Sequence, residues 1–184
     1  MTEPLPVGAT IGILGGGQLG RMLSIAASRL GLKTHIYEPG AGAPAGDVAH
    51  KVTTASYEDK DALIAFGQSV DVITYEFENI PTSALDLLET LAPIHPGRRA
   101  LATSQDRLTE KTFLRDLGLQ TAPFADVGSQ DDLQAALDKI GTPAILKTRC
   151  MGYDGKGQAR IMAAGDVEGA FVDGRCTGKT GRFR

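Results

Sequence analysis

Short apolar segments separated by amphipathic ones run through residues 1–100 of the chain. Thr10–Leu14, Lys33–Tyr37 and Val70–Tyr75 are short apolar segments bounded by glycine or polar residues, which predicts three strands. Strands that alternate with helices pair in parallel through crossover connections. The pattern therefore predicts an α/β domain with a parallel sheet over residues 1–100.

Helical spacing of apolar residues predicts the structure between these strands. The first set predicts a helix that ends at Gly31, because glycine favours a C-terminal cap. Its apolar positions are Leu19, Met22, Leu23, Ala26, Ala27 and Leu30. Ser56 followed by Asp59 resembles a capping box and predicts a second helix up to about Phe66. Thr82–Leu91 is predicted as a third helix.

A second domain is predicted over residues 101–162. Two prolines and a glycine interrupt the pattern within residues 93–97. Ser104–Leu117 then predicts an amphipathic helix, and a further helix is predicted between Ser129 and Gly141. Ala144–Thr148 is predicted as a strand that returns through residues 159–162 as a hairpin.

Composition excludes some classes of partner and draws attention to glycine. With 19 basic and 22 acidic residues the net charge is −3, which gives no support for a nucleic-acid binder. No apolar run approaches the roughly 20 residues of a membrane helix. Two cysteines, Cys150 and Cys176, are too few for a disulfide framework, so a reducing cytoplasmic location is expected. Glycine is abundant, with 23 of 184 residues against an average of about 7%.

One group of glycines, Gly15–Gly20, lies between the first strand and the first helix. It fits the G-x-G-x-x-G pattern, in which backbone amides and the helix N-terminus approach a phosphate. Glu38, 18 residues after Gly20, is placed to bind a ribose hydroxyl. Three interpretations stay open for this motif alone: an NAD site, a site for another phosphate ligand, and glycines that only allow close packing.

Two further groups carry candidate chemistry. Lys147 on a strand, followed by the glycine-rich Gly152–Gln158, is typical of a lysine and a flap that together surround a polyphosphate. A glycine-rich hairpin with a surface lysine is the alternative. Thr74–Asn79 lies at the carboxyl end of a strand, where ligands collect in open α/β sheets. Strand alternation predicts that Glu76 and Glu78 face the same side, although an ordinary solvated strand end has the same sequence pattern.

Five motifs in order carry a resemblance to a known family. They are Gly12–Leu23, Pro44–His50, Thr74–Asn79, Asp106–Lys111, and Lys147 with Gly152–Gln158. Together they resemble 5-(carboxyamino)imidazole ribonucleotide synthase, a family of ATP-grasp ligases in purine biosynthesis. The resemblance implies a Rossmann-like pre-ATP-grasp substrate domain followed by the first part of an ATP-grasp domain.

The resemblance also implies a reaction. Bicarbonate attacks the γ-phosphate of ATP to give carboxyphosphate, and the exocyclic amine of aminoimidazole ribonucleotide then takes the carboxyl group. ATP and Mg²⁺ are the implied cofactors, and a homodimer is implied for the full-length family. In such phosphoryl chemistry the protein neutralises charge, positions the reactants and excludes water.

The family motifs assign roles to residues of this chain. The implied substrate-binding residues are Gly17, Gln18, Leu19, Glu76, Glu78 and Tyr153. The implied ATP-contacting residues are Arg107, Lys147, Gly152, Tyr153, Asp154, Gly155, Lys156, Gly157 and Gln158. Lys147, Asp154 and Lys156 are the implied catalytic residues, and no metal ligand is assigned.

The family resemblance ends near Ile161. Members of the family are longer, with further strands and a later Glu/Asn pair that binds Mg²⁺. Residues 163–184 are an atypical segment, expected to be disordered or out of frame. We therefore expect a truncated chain that does not turn over ATP by itself. The alternatives to the ligase are an NAD-dependent oxidoreductase domain and a non-catalytic ribonucleotide-binding module.

Overall fold

The chain divides into two units, each with its own hydrophobic core. A computed structural model describes residues 4–152 and 156–167. The first unit ends at Ala102 and the second begins at Thr103. Tyr153, Asp154, Gly155 and the segment 168–184 lie outside the described residues, so the predictions made for them have no structural counterpart here.

A parallel sheet forms the centre of the first unit. Its strands are β1 (Thr10–Leu14), β2 (Lys33–Glu38), β3 (Lys51–Thr54) and β4 (Val72–Tyr75), in the order β3-β2-β1-β4. The central strands are buried along most of their length because helices cover both faces of a parallel sheet. The predicted parallel α/β fold is confirmed. Only β3 was not predicted, because it lies at an edge and is mostly exposed.

The first helix buries a different face from the one its apolar residues suggest. α1 spans Gln18–Arg29, and its buried residues are Gly20, Ser24 and Ala27. The larger apolar side chains of the helix, among them Leu19 and Met22, are exposed by 56% and 63%. A small residue is needed at Gly20 because the start of the helix lies against the backbone of Gly15, directly after β1. Helical spacing therefore predicted the helix correctly but did not predict its buried side.

The other helices of the first unit begin and end close to their predicted limits. α2 spans Lys60–Gly67 and α3 spans Thr82–Leu88. The capping box predicted at Ser56 is wrong: Asp59 caps α2, and its side chain accepts a hydrogen bond from the Ala62 amide at 3.0 Å. Ser56 instead accepts from the Glu58 amide in the preceding turn.

Asp106 divides the helix that was predicted over Ser104–Leu117. α4 spans Arg98–Gln105 and α5 spans Arg107–Asp116. The Asp106 side chain accepts hydrogen bonds from the amides of Leu108 and Thr109 at 2.9 and 3.0 Å. An N-cap residue has an extended backbone, so α5 starts afresh after Asp106.

The second unit packs a helix on a hairpin. α6 (Gln130–Ile140) lies on the antiparallel strands β5 (Ala144–Lys147) and β6 (Gln158–Ile161). Its core combines Leu133 and Leu137 with Leu146 and Ile161. Because side chains alternate along a strand, Ile145, Lys147, Gln158 and Arg160 lie on the opposite face of the hairpin.

The described part of the second unit continues past residue 162. Ala164–Asp166 form a short 3₁₀ turn, and Asp166 accepts hydrogen bonds from the amides of Met162 and Ala163. Val167 is 7% exposed and belongs to the core of this unit. The unit thus extends at least to Val167, five residues past the limit expected from the sequence. Within the described ranges, every helix is too short or too polar to span a bilayer.

Candidate functional site

Two carboxylates engage the amides of the glycine loop in the first unit. The Gly16 amide donates to Glu38 Oε2 at 2.8 Å, and the Gly17 amide donates to Glu76 Oε1 at 2.8 Å. Glu38 also accepts from the Gly40 amide at 3.0 Å. Glu38 and Glu76 follow β2 and β4, the two neighbours of β1, so the parallel sheet brings both acids to the loop.

Glycine is required at two positions of this loop, at Gly15 by its positive φ and at Gly20 by a backbone contact. A Cβ atom at Gly15 or Gly17 would lie 2.8 or 2.9 Å from Glu76 Oε1, and Gly15 also has a φ of +101°. A Cβ atom at Gly20 would lie 2.8 Å from the Gly15 carbonyl oxygen. α1 has no acidic residue in its first turn. Glu76 therefore supplies the negative charge that stabilises a helix N-terminus.

This arrangement argues against a dinucleotide in the glycine loop. A pyrophosphate would need the amides of Gly16 and Gly17, and both already donate to carboxylates. A phosphate brought to these amides would also meet two like charges, which is unfavourable. Glu38, the residue expected to bind a ribose hydroxyl, is bonded to the loop itself.

The substrate residues expected from the family lie around the start of α1 and the end of β4. Gln18 and Leu19 are exposed, whereas Gly17 and Glu76 are partly buried and bonded to each other. β4 ends at Tyr75, so the strand alternation used to pair Glu76 with Glu78 does not extend to these residues. Glu78 is exposed in the turn that follows.

Tyr57 is a member of this site that the sequence did not indicate. Its hydroxyl lies 3.5 Å from the Tyr37 carbonyl oxygen, and its ring stacks on Tyr37 at 5.5 Å between centroids. Burial, together with the nearby charges of Glu38 and Glu76, raises the pKa of the Tyr57 phenol. The phenol therefore stays protonated at neutral pH and can donate a hydrogen bond. No sequence signal marked it because β3, which precedes it, was not predicted.

In the second unit Arg107 and Lys147 open into one cavity. The cavity has a volume of about 440 Å³, and its walls are mostly apolar side chains from α6 and β5. Lys111 also lines it, donates to the Ala122 carbonyl oxygen and lies 5.0 Å from the centre of the Phe124 ring. An apolar cavity with a few convergent polar groups is the usual form of a small-ligand site. Its cationic groups suit an anionic ligand.

Local structure fixes the two cations at the cavity. Arg107 is the first residue of α5, directly after the Asp106 cap, and its guanidinium pairs with Glu110 at 2.5 Å. Lys147 is the last residue of β5 and lies opposite Gln158 across the hairpin. Both Lys147 and Gln158 therefore lie on the face that α6 leaves uncovered.

The glycine-rich loop is tied to Thr148 at its base. The Thr148 amide donates to the Gly157 carbonyl oxygen at 2.7 Å, and Thr148 is 7% exposed. A Cβ atom at Gly152 or Gly157 would lie 2.8 or 2.6 Å from Thr148 Oγ1. Of the predicted loop residues, Gly152, Lys156 and Gly157 are described and exposed, next to the start of β6 at Gln158.

The described residues do not fit a protein-held metal site. Over residues 4–152 and 156–167, no group of three or more His, Cys, Asp or Glu side chains is arranged to hold a metal ion. The charged residues that line the cavity are cations. Mg²⁺ prefers carboxylate oxygens and substrate phosphates as ligands.

Comparison with protein families identifies the class of the chain. Residues 8–105 match the family model of the ribonucleotide synthetase preATP-grasp domain, and residues 112–177 match that of the ATP-grasp domain. The first match covers more than half of the chain, so the chain belongs to the ribonucleotide synthetase preATP-grasp family, with part of an ATP-grasp domain following.

Its relatives are N5-carboxyaminoimidazole ribonucleotide synthases, which confirms the similarity predicted from the motifs. The enzyme of Brucella melitensis is 51% identical over 164 residues, covering 89% of this chain and 45% of the relative. The Staphylococcus aureus synthetase complexed with ADP aligns with a TM-score of 0.89 at 42% identity, covering 97% of this chain and 47% of the other.

A further structure contains ADP together with 5-aminoimidazole ribonucleotide. The Aspergillus clavatus enzyme in complex with ADP and 5-aminoimidazole ribonucleotide aligns with a TM-score of 0.83 at 25% identity, covering 96% of this chain and 46% of the other. The chain spans about half the length of the relatives it matches.

Proposed function

We propose that this chain carries substrate-binding and nucleotide-binding parts of an ATP-dependent carbon–nitrogen ligase. The reaction is carboxylation of 5-aminoimidazole ribonucleotide by bicarbonate, through carboxyphosphate, to 5-carboxyaminoimidazole ribonucleotide. The observation that carries the proposal is the shared cavity of Arg107 and Lys147. Relatives that bind ADP and aminoimidazole ribonucleotide support it.

Arg107 and Lys147 serve the nucleotide. A guanidinium and an ammonium in one cavity hold phosphate oxygens and neutralise the charge that builds up during phosphoryl transfer. Arg107 exchanges its pairing with Glu110 for the phosphates when ATP binds. Gly152, Gly157 and Gln158 form the base of the loop over the nucleotide. In this proposal Tyr153, Asp154, Gly155 and Lys156 also contact the nucleotide, and Asp154 and Lys156 act on the carboxyphosphate.

The loop at the start of α1 serves the ribonucleotide. Gly17, Gln18 and Leu19 present the helix N-terminus, and Glu76 and Glu78 supply carboxylates. Tyr153 is a further substrate-binding residue of this proposal. An ionised carboxylate only accepts hydrogen bonds. Glu76 therefore accepts from an amine or hydroxyl of the substrate with the oxygen that Gly17 leaves available. Tyr57 adds a neutral hydroxyl donor beside it.

Mg²⁺ enters with ATP in this proposal and is given no ligand in the described residues. A homodimer of the full-length enzyme and a cytoplasmic location complete the proposal.

Isothermal titration of the 184-residue chain with ADP tests the nucleotide site. We expect saturable ADP binding that Lys147→Met weakens at least about tenfold, or about 1.4 kcal/mol. Lys139→Met is the matched control, because Lys139 is an exposed lysine in the last turn of α6 and does not line the cavity. Saturable NADH binding without ADP binding would overturn the proposal in favour of the oxidoreductase.

A further inference from the structure

One ion pair joins the end of β5 to the start of α5. Arg149 Nε donates to Asp106 Oδ2 at 2.8 Å, and a terminal guanidinium nitrogen lies 2.7 Å from the same oxygen. The side chains are 21% and 24% exposed, so solvent screens this pair less than a surface pair. A second carboxylate, Asp126, lies 3.7 Å from Arg149 Nη1.

Asp106 divides its two oxygens between two tasks. Oδ1 accepts hydrogen bonds from the amides of Leu108 and Thr109 and so fixes the first turn of α5. Oδ2 accepts a hydrogen bond from the Arg149 guanidinium. The backbone repeats the connection, because the Arg107 amide donates to the Arg149 carbonyl oxygen at 2.8 Å. Arg107 is therefore connected to Arg149 twice, through its own amide and through the neighbouring Asp106 side chain.

Arg149 also lies close in sequence to Lys147, the second cation of the proposed nucleotide site. Arg149 follows Lys147 by two residues, and Thr148 between them anchors the base of the glycine-rich loop. Arg107 and Lys147 line the cavity, whereas Arg149 and Asp106 are not among the residues that line it. The pair thus lies outside the cavity lining and connects the end of β5 to the start of α5, the two elements that carry the cations.

We propose that Arg149 and Asp106 are positioning residues that set the placement of Arg107 relative to Lys147 for the phosphates of the nucleotide. This inference rests on the proposed function. A guanidinium–carboxylate pair suits the task because two donor nitrogens on one carboxylate fix orientation as well as distance. A lysine keeps the charge at this position but not the fixed geometry.

A double-mutant cycle tests how Arg149 acts. We expect Arg149→Met to weaken ADP binding about tenfold, or about 1.4 kcal/mol, and Arg149→Lys to recover part of the loss. In the Arg107→Met background, Arg149→Met should cost no further affinity, because its effect passes through Arg107. Additive losses, or unchanged ADP affinity in Arg149→Met, would overturn the proposal. Arg21→Met is the control, since it removes an Arg–Asp pair in the first unit.

Amide hydrogen exchange without nucleotide separates this inference from the proposed function. Arg149→Met should raise the exchange rates of the Arg107, Leu108 and Thr109 amides about tenfold while the α6 amides keep theirs. Unchanged rates would contradict the positioning role even if ADP binds. If the unmodified chain binds no ADP, the proposed function fails and these rates alone decide the positioning role. Asp106→Asn, which retains a cap acceptor but loses the charge, gives the same comparison if Arg149→Met does not fold.

Discussion

The carboxylate of Glu76 accepts a hydrogen bond from the backbone amide of Gly17 at 2.8 Å. This bond links the residue that follows β4 to the residue that precedes α1. The two residues are 59 positions apart in the chain. Glycine at positions 15 and 17 leaves the room that the carboxylate occupies. The loop that resembles a dinucleotide motif is therefore completed by a protein carboxylate.

Removal of the Glu76 carboxylate should lower the stability of the first unit. Glu76→Ala leaves the Gly17 amide without its charged acceptor, so we expect a loss of roughly 1.5–3 kcal/mol in the free energy of unfolding. Urea denaturation measures it. Glu58→Ala, an exposed glutamate in the same unit, should change the stability by less than about 0.5 kcal/mol. Equal effects of the two substitutions would contradict a specific role for the Glu76–Gly17 bond.

Substitution of Gly157 should disturb the base of the glycine-rich loop. Its φ is +68°, and an added Cβ would lie 2.6 Å from Thr148 Oγ1. We expect Gly157→Ala to cost roughly 1–3 kcal/mol, as for other residues held in a left-handed conformation, and to weaken ADP binding. Gly97→Ala is the matched control, because a Cβ there meets nothing within 4 Å. Thermal unfolding compares the two variants, and a Gly157→Ala protein as stable as Gly97→Ala would refute the prediction.

Local patterns predicted most elements because apolar spacing and capping residues act over a few positions. They missed β3, whose edge position removes the apolar signal, and they missed the break at Asp106, where one side chain caps α5 inside an amphipathic pattern. The exposed apolar side of α1 shows the same limit. A hydrophobic stripe reports that a helix is amphipathic but not which neighbour covers it.

The candidate site, like the fold, was only partly predictable from the sequence. The motifs selected Arg107 and Lys147, and the structure brings both to one cavity. The ion pair of Asp106 and Arg149 next to them was not predictable, because these residues are 43 positions apart and are brought together only by the tertiary fold. The use of Glu38 and Glu76 to satisfy loop amides likewise depends on the order of strands in the sheet.

Replacement of Ser24 should stabilise the first unit. Its hydroxyl is buried on the inner side of α1 and is the only buried side-chain polar atom without a hydrogen-bond partner among the described residues. Ser24→Ala removes this hydroxyl, so we expect the free energy of unfolding to increase by roughly 1–3 kcal/mol. Ser28 is exposed on the same helix. Ser28→Ala should therefore increase the free energy of unfolding by only about 0.5 kcal/mol, through helix propensity. A Ser24→Ala gain no larger than that of Ser28→Ala would contradict the cost assigned to the buried hydroxyl.

Acid should destabilise the first unit through His35, which is buried in β2. Ser69 donates its hydroxyl to the Phe66 carbonyl oxygen, so it accepts the Nδ1 proton of His35, while Nε2 accepts from Thr53 at 2.8 Å. Both nitrogens are thus satisfied in the neutral ring. Burial, with the nearby charges of Lys51 and His50, lowers the pKa of His35 from 6.5 to about 4.

The sign of this effect follows from the protons that each state binds. Between pH 6.5 and about 4 the unfolded chain protonates His35 and the folded chain does not, so stability is complete above pH 6.5 and falls as the pH drops through this window. The loss amounts to at most roughly 3 kcal/mol. Urea denaturation of His35→Gln across this range should give a flatter pH profile than the unmodified protein. An unchanged slope in His35→Gln would assign the acid sensitivity to other groups.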